Sequence, residues 1–325
     1  MVNRKKQPID ELRESDSVDD VFCVKMKKGL KKYAKGYCFQ LLLTDSSGHS
    51  IDYRYWGGQD EDKVKSLYDS IKADCVVHVQ GKVASFNNKL QISTNEPNTI
   101  TALQEGEYVA EDFIGPARKD VSELTHELMQ LIQSVEDLDY SKLLEHIFSD
   151  QKRVQKFITH PGAIEIHHNW TGGLLEHTLE VAKICKVAAV DHEQIDLDLL
   201  ISSAILHDIG KLDELTVTSR IKGTREGQLI GHITMGYDMV KGFMNEVETP
   251  KDKAVKLLHS IISHHGRLDF GSPKPPMTVE AMILYYSDEL SSKAGEVSEF
   301  VKWAKGATED EFMYNRRHER NIYLK

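Results

Sequence analysis

The hydrophobic period changes once along this chain, and that change constrains the fold more than any single motif. Between Val21 and Ser93 apolar and polar residues alternate in short runs, whereas from about Val121 apolar residues recur three and four apart. Alternation lays one face of a strand against a core; the longer spacing lays one stripe of a helix there. A chain that does first one and then the other is read as two domains, a small β domain and a larger helical one. Its 325 residues suffice for both.

In the first part, Val21–Met26, Tyr37–Asp45 and His49–Trp56 read as strands, with a turn signal at Ser46-Ser47-Gly48 between the second and third. Asp60 to Lys72 puts Val64, Leu67, Tyr68 and Ile71 on one helical stripe. Cys75–Val83 and Leu90–Ser93 read as a fourth and fifth strand, turning at Asn87-Asn88. Residues 1–20 are polar apart from Ile9, Leu12 and Val18 and are expected to pack weakly. Five short strands with a helix between the third and fourth is the order of an OB-fold barrel, and residues 21–115 resemble the OB domains that bind single-stranded nucleic acid.

Such a domain would use lysines along a groove and aromatic rings as stacking platforms. The candidates are Lys27, Lys28, Lys31, Lys32, Tyr33, Tyr53, Tyr55, Trp56 and Phe86. The plainer alternative makes Tyr53, Tyr55 and Trp56 barrel residues and the lysines a solvated loop. The net charge of −10 excludes a generally basic nucleic-acid binder, yet Val21 to Tyr37 holds six lysines and no acid. A local cationic patch matters more to a polyanion than the global sum.

Pro97, Gly106, Gly115 and Pro116 place a boundary within 95–120, leaving 121–325 as a helical domain. Leu124, Leu128, Leu131, Ile132 and Val135 share a helical stripe, and Leu143 to Ile158 continues in kind. The expected fold class is therefore multi-domain α+β: an N-terminal five-stranded OB-fold β-barrel followed by an all-α domain.

The chemistry sits on the helical half. Ala204-Ile205-Leu206-His207-Asp208-Ile209-Gly210-Lys211 ends an apolar helical run in adjacent His and Asp. Imidazole suits first-row transition metals, and a carboxylate can bridge two of them. His177, His232, His264-His265 and Asp288 also lie within apolar helical patterns. One histidine on such a face is usually a satisfied core residue. Burying all of these without partners would cost several kcal/mol, since each unpaired polar group costs about 1–3. A shared metal centre removes that cost.

The order His177, His207-Asp208, His232, His264-His265, Asp288 resembles the HD-domain metal phosphohydrolases. His177, His207, Asp208 and Asp288 match the four defining positions of that superfamily, and the further histidines match its two-metal branches. The flanks are more specific. Phe157 through Pro161-Gly162-Ala163, His167 to His177, His264-His265-Gly266-Arg267-Leu268 into Gly271-Ser272-Pro273-Lys274, and Glu280 to Asp288 look like the YhaM-type 3′→5′ exoribonucleases. That family also places an OB-fold before its HD domain. Gly162 departs from it, standing where another small residue such as alanine is expected.

The resemblance implies a metal-dependent 3′→5′ exonuclease acting on single-stranded RNA, or on single-stranded DNA, with manganese as cofactor and a homo-oligomeric state. The nitrogen and oxygen ligand set suits Mn²⁺, Fe²⁺, Co²⁺ or Ni²⁺. Two ions roughly 3.5–4 Å apart need a bridging ligand, and Asp208 is the natural one. His177, His207 and Asp288 are assigned to one ion, His232 with His264, His265 or both to the other. A bridging water would be the nucleophile, because two cations lower its pKa. Lys211 is expected on the scissile phosphate and His168 on the phosphate or the leaving oxygen. Arg267 and Lys274 would track the backbone.

Two other readings compete. One is an HD-type nucleotide or cyclic-nucleotide phosphohydrolase, which has no use for a lysine-rich barrel. The other is a nucleic-acid-binding regulatory protein with an inactive HD fold, which has no reason to keep every ligand type. The cysteines Cys23, Cys38, Cys75 and Cys185 form no C-x-x-C pair, so reduced, cytoplasmic thiols are expected. The basic N-terminus leads into no apolar signal region, and no run approaches the roughly 18 apolar residues that span a membrane.

Overall fold

The computed structural model describes residues 2–47, 49–87, 89–164 and 168–325. The expected turn residues Gly48 and Asn88, and His167, lie outside the described residues. The chain divides into two compact units, Met1–Pro116 with Val217–Lys222, and Ala117–Thr216 with Gly223–Lys325.

The first unit is built on β1 (Ser17–Tyr33), β2 (Gly36–Thr44), β3 (Ser50–Trp56), α1 (Glu61–Ser70), β4 (Val76–Phe86), β5 (Lys89–Asn95) and β6 (Ile100–Ala102). The pairings close on themselves. β1 joins β2, β2 joins β3, β3 runs parallel to β5, β5 joins β4, and β4 returns to β1. That closed order with one parallel contact is OB-like. The core holds Phe22, Phe39, Leu41, Leu43, Tyr53, Val77, Val79 and Ile92.

Two expectations fail here. The first strand is not six residues but seventeen, and its second half carries five of the six lysines, Lys25, Lys27, Lys28, Lys31 and Lys32. Register shifts between Val24 and Met26 and between Lys27 and Gly29 break the alternation, so the pattern could not be followed past Met26. Nor do residues 1–20 pack weakly. The buried Asp20 carboxylate accepts hydrogen bonds from Lys5 Nζ at 2.9 Å and from the backbone amides of Lys6 and Gln7. Asp45 accepts from the Ile9 amide at 2.8 Å, and the Lys5 ammonium lies 3.4 Å from the Phe22 ring centroid. Two buried carboxylates thus hold a segment whose composition alone reads as loose.

The second unit carries α2 (Val121–Gln133), α3 (Leu138–Ser149), α4 (Gln151–Thr159), α5 (Gly173–Ala189), α6 (Leu197–Leu206), α7 (Lys211–Glu214), α8 (Arg225–Ile230), α9 (His232–Glu246), α10 (Lys251–Ser263) and α11 (Val279–Ala307). Aspartates start four of these: Asp120, Asp137, Asp150 and Asp196 each accept from an amide of the first turn. Such caps contribute about 1 kcal/mol each. Asp150 explains why the apolar stripe from Leu143 to Ile158 is two helices, not one. α6 is buried from Leu199 to Leu206, as expected of a helix apolar all round. Two hairpins interrupt the helices: β7 (Leu215–Val217) with β8 (Ile221–Gly223), and β9 (Phe312–Asn315) with β10 (Arg320–Tyr323). Strands of three and four residues are too short to show alternation. Among the described residues no helix is long and apolar enough to cross a membrane.

Candidate metal centre

Helix ends supply most of the centre. His207 is the C-cap of α6 and His264 the C-cap of α10. Each donates its Nδ1–H to a last-turn carbonyl, Ala204 O at 2.8 Å and Ile261 O at 2.6 Å. The terminal carbonyls gain a donor that the helix lacks, and each Nε2 is left as the lone-pair nitrogen, turned toward Asp208. His265 is fixed by Phe270 O at 2.8 Å, His177 by Ser291 Oγ at 3.2 Å, and His232 by Glu214 Oε1 at 3.0 Å. All five histidines are therefore held at Nδ1, the arrangement that makes Nε2 a metal ligand.

The Nε2 atoms converge on Asp208 from two sides. His177 and His207 lie 3.4 and 3.3 Å from its Oδ2. His232 and His264 lie 3.6 and 3.7 Å from its Oδ1. Asp288 Oδ1 is 3.1 Å from His177 Nε2 and completes the first group. Donor atoms of His177, His207 and Asp208 all lie within 4.8 Å of one another, as do those of His232, His264 and His265. The centre opens on one side to a cleft of about 600 Å³, lined by Lys211, Glu214, His232, His265 and Asp288 among others.

These donors fit a divalent ion on an independent count. Asp208 Oδ1, His232 Nε2 and His264 Nε2 are buried and have no hydrogen-bond partner. Three such atoms facing one another would cost about 1–3 kcal/mol each. A cation among them satisfies all three. No sulfur is among these donors, which favours a metal of intermediate hardness.

The sequence pattern of the HD domain family matches residues 174–293, the span from α5 to Lys293. Over 280 residues the chain is 30% identical to the 3′-5′ exoribonuclease YhaM of Bacillus velezensis, covering 86% of this chain and 85% of that one. The chain belongs to the YhaM family. Among solved structures, it is similar to the HD domain of the Listeria monocytogenes phosphodiesterase PgpH, with 16% identity, a TM-score of 0.31, and 49% and 83% of the two chains covered. The second OB-fold domain of replication protein A from Methanococcus maripaludis matches with 21% identity, a TM-score of 0.26, and 32% and 97% coverage.

In this YhaM-family chain the electrostatics of the centre follow from burial and mutual charge. Burial pushes the His177 imidazolium down, but Asp208 and Asp288 more than offset it and raise its pKa to about 9. His264 is pushed well down by burial and by the neighbouring His265 and His207. Asp208 is held well below the usual carboxylate range despite burial, by Lys211, His207 and His177. In the metal-free protein His177 thus keeps a proton between two carboxylates. A metal must displace it, so affinity rises with pH.

Not every expected contact is made. Lys211 lines the cleft, and its Nζ sits 2.6 Å from Asp208 Oδ2. His168 is not on the cleft: it is buried at a positive φ of 54°, with its ring 5.2 Å from that of His177 and Nε2 3.4 Å from Glu180. Its ring packs against that of His177. Gly162 is explained by the same loop. A Cβ there would lie 2.9 Å from His168 Cβ, so even alanine would crowd it. Arg267 and Lys274 are exposed.

On the barrel, Tyr53 and Tyr55 are core residues, 1% and 6% exposed, and cannot stack on bases. The signal was present in β3, where Ile51, Tyr53 and Tyr55 share one face and Asp52, Arg54 and Trp56 the other. Lys27 is occupied by the Tyr68 carbonyl and ring, and Lys28 pairs with Asp52. Lys31, Lys32 and Phe86 are exposed, and Tyr33 packs edge-on against Trp56. Arg54 was missed. Its guanidinium lies 5.0 Å from the Trp56 ring and 5.3 Å from Phe86, forming a cationic and aromatic patch.

Glu214 was missed as well, because a four-residue helix has no period to read. It accepts from both the amide and the ring of His232, each at 3.0 Å. Glu214→Gln is expected to weaken metal binding at the His232 side by roughly 10–100-fold while sparing the His177 side. Metal titration by calorimetry checks this; unchanged affinity at both sides would show that Glu214 does not orient the ligand.

Proposed function

We propose that this chain is a divalent-metal-dependent 3′→5′ exoribonuclease that holds two ions on either side of Asp208. The carrying observation is the division of that one carboxylate, with Oδ2 facing His177 and His207 and Oδ1 facing His232 and His264. His177, His207, Asp288 and Asp208 would hold one ion; His232, His264, His265 and Asp208 the other. Bound ions of this kind supply a nucleophilic hydroxide at neutral pH and neutralise charge on the attacked phosphate. Manganese leads among Mn²⁺, Fe²⁺, Co²⁺ and Ni²⁺ on the ligand set and the family.

The protein's own groups do the rest. The backs of α6 and α10 fix the ligand rings before any metal arrives, and Glu214 and Ser291 set two more. Lys211 is the cation beside the shared carboxylate, placed to hold a phosphate oxygen in the cleft. The OB-like unit binds the strand, through Lys31, Lys32 and the Arg54, Trp56 and Phe86 patch. Single-stranded RNA is the proposed substrate and single-stranded DNA a second one. The four cysteines are free, which supports a reducing, cytoplasmic setting.

The test incubates purified protein with 3′- and 5′-labelled single-stranded RNA, with Mn²⁺ or EDTA, beside a panel of mono- and cyclic nucleotides. Stepwise shortening from the 3′ end that requires metal supports the reading. Hydrolysis of the nucleotides alone would replace it with a small-molecule phosphohydrolase, and metal-independent RNA binding without cleavage would make it a regulatory protein.

A separate prediction concerns the barrel. Arg54→Ala/Trp56→Ala should weaken RNA binding by about tenfold or more, since a stacked base contributes about 1–3 kcal/mol. Affinity should also fall steeply with salt as phosphate contacts release counterions. Fluorescence anisotropy from low to high salt measures both; a flat salt response with unchanged affinity would remove the barrel from the strand's path.

A further inference from the structure

The last hairpin of the chain is unlike the surface around it. β9 and β10 pair Phe312 with Tyr323 and Tyr314 with Asn321, so Phe312, Tyr314 and Tyr323 share one face. That face is open: the three rings are 56%, 59% and 54% exposed, and Phe312 and Tyr323 lie 5.2 Å apart. The opposite face carries the less exposed Met313 and Ile322. Arg316 and Arg317 lie in the turn between the strands with Glu319, and Arg320 opens β10.

The hairpin is tied by a buried acid to α11, the helix that carries Asp288. Glu296 on α11 is 4% exposed and pairs with Arg317 at 3.1 Å and His318 at 3.2 Å. It lies eight residues, about two turns, beyond Asp288 on the same helix. Asn315 shapes the turn by accepting from the amides of Arg317 and His318. The outcome is that Arg317 lines the same cleft as Asp288, Lys211 and His232. A cation at the cleft and three open rings on the same hairpin are the groups that single-stranded nucleic acid uses, with phosphates on the charge and bases on the rings.

We infer that the C-terminal hairpin is a second strand-binding element, in which Arg317 takes a backbone phosphate at the cleft and Phe312, Tyr314 and Tyr323 stack the bases leading into it. The inference rests on the proposed exoribonuclease reading and names a further part of its substrate track. The occupant is single-stranded RNA, because Arg317 lines the cleft and the turn carries Arg316 and Arg317 beside the exposed rings, which together favour a polyanion with bases to stack.

The test uses full-length, metal-loaded protein and a phosphorothioate-linked RNA that resists hydrolysis. With 5-iodouridine in the RNA, photo-crosslinks on the wild-type protein should map to residues 312–323. Phe312→Ser/Tyr314→Ser/Tyr323→Ser should raise the Kd for the RNA about tenfold or more by fluorescence anisotropy. Crosslinks confined to other segments, with Kd unchanged in the triple variant, would overturn the inference. So would a changed sedimentation coefficient in the triple variant, which would assign the face to a second copy. If the wild type neither binds nor shortens RNA, the exoribonuclease reading fails too. If it does both and the variant matches it, only the hairpin's role fails.

Discussion

Asp208→Asn is expected to lower kcat on single-stranded RNA by roughly 10³-fold or more, since it removes the one group facing both halves of the centre. Neutralising charge on a phosphoryl transition state is worth several kcal/mol, and the loss of about 4 kcal/mol corresponds to that factor. Asparagine keeps the shape of the side chain, so the effect is one of charge. It also leaves Lys211 without the carboxylate that holds it at 2.6 Å, which weakens the metal-free protein. Turnover of 3′-labelled RNA and the metal content of the purified variant measure the two consequences. Activity within about tenfold of wild type would mean that Asp208 is not the shared ligand.

Gly210→Ala should have the next largest effect, through backbone rather than charge. A Cβ at Gly210 would fall 2.1 Å from His232 O and 2.5 Å from Gly236 N. Neither atom can give way without moving the start of α9, and His232 is the first residue of that helix. The expected result is a destabilisation of about 1–3 kcal/mol, typical of overpacking, together with loss of the ion on the His232 side. Gly242→Ala on the same helix is the control, because a Cβ there meets nothing within 4 Å. Metal stoichiometry by mass spectrometry and thermal melts separate the two. A Gly210→Ala protein with full metal content would show that the close approach of α7 and α9 does not set the ligand geometry.

The candidate cluster was legible because buried His and Asp contradict the apolar helices that carry them. His177, His207, Asp208, His232, His264, His265 and Asp288 all come together in one cluster. What holds the rings was not legible. Carbonyls at helix ends leave no trace in composition, Glu214 sits on a helix too short to show a period, and Ser291 reads as an ordinary helical residue. The barrel was legible in order but not in extent. Bulges hid the second half of β1, and aromatic type was weighed above strand face, which put Tyr53 and Tyr55 on the binding surface when alternation places them inside. His168 was read by residue type alone; its positive φ and its burial against the His177 ring left no sign in the sequence.

The most direct measurement of a centre divided by Asp208 is anomalous diffraction from crystals of the full chain grown with Mn²⁺. The predicted result is two peaks roughly 3.5–4 Å apart, one beside His177, His207 and Asp288 and one beside His232, His264 and His265, with Asp208 between them. A single peak, or two peaks of which only one touches Asp208, would contradict it.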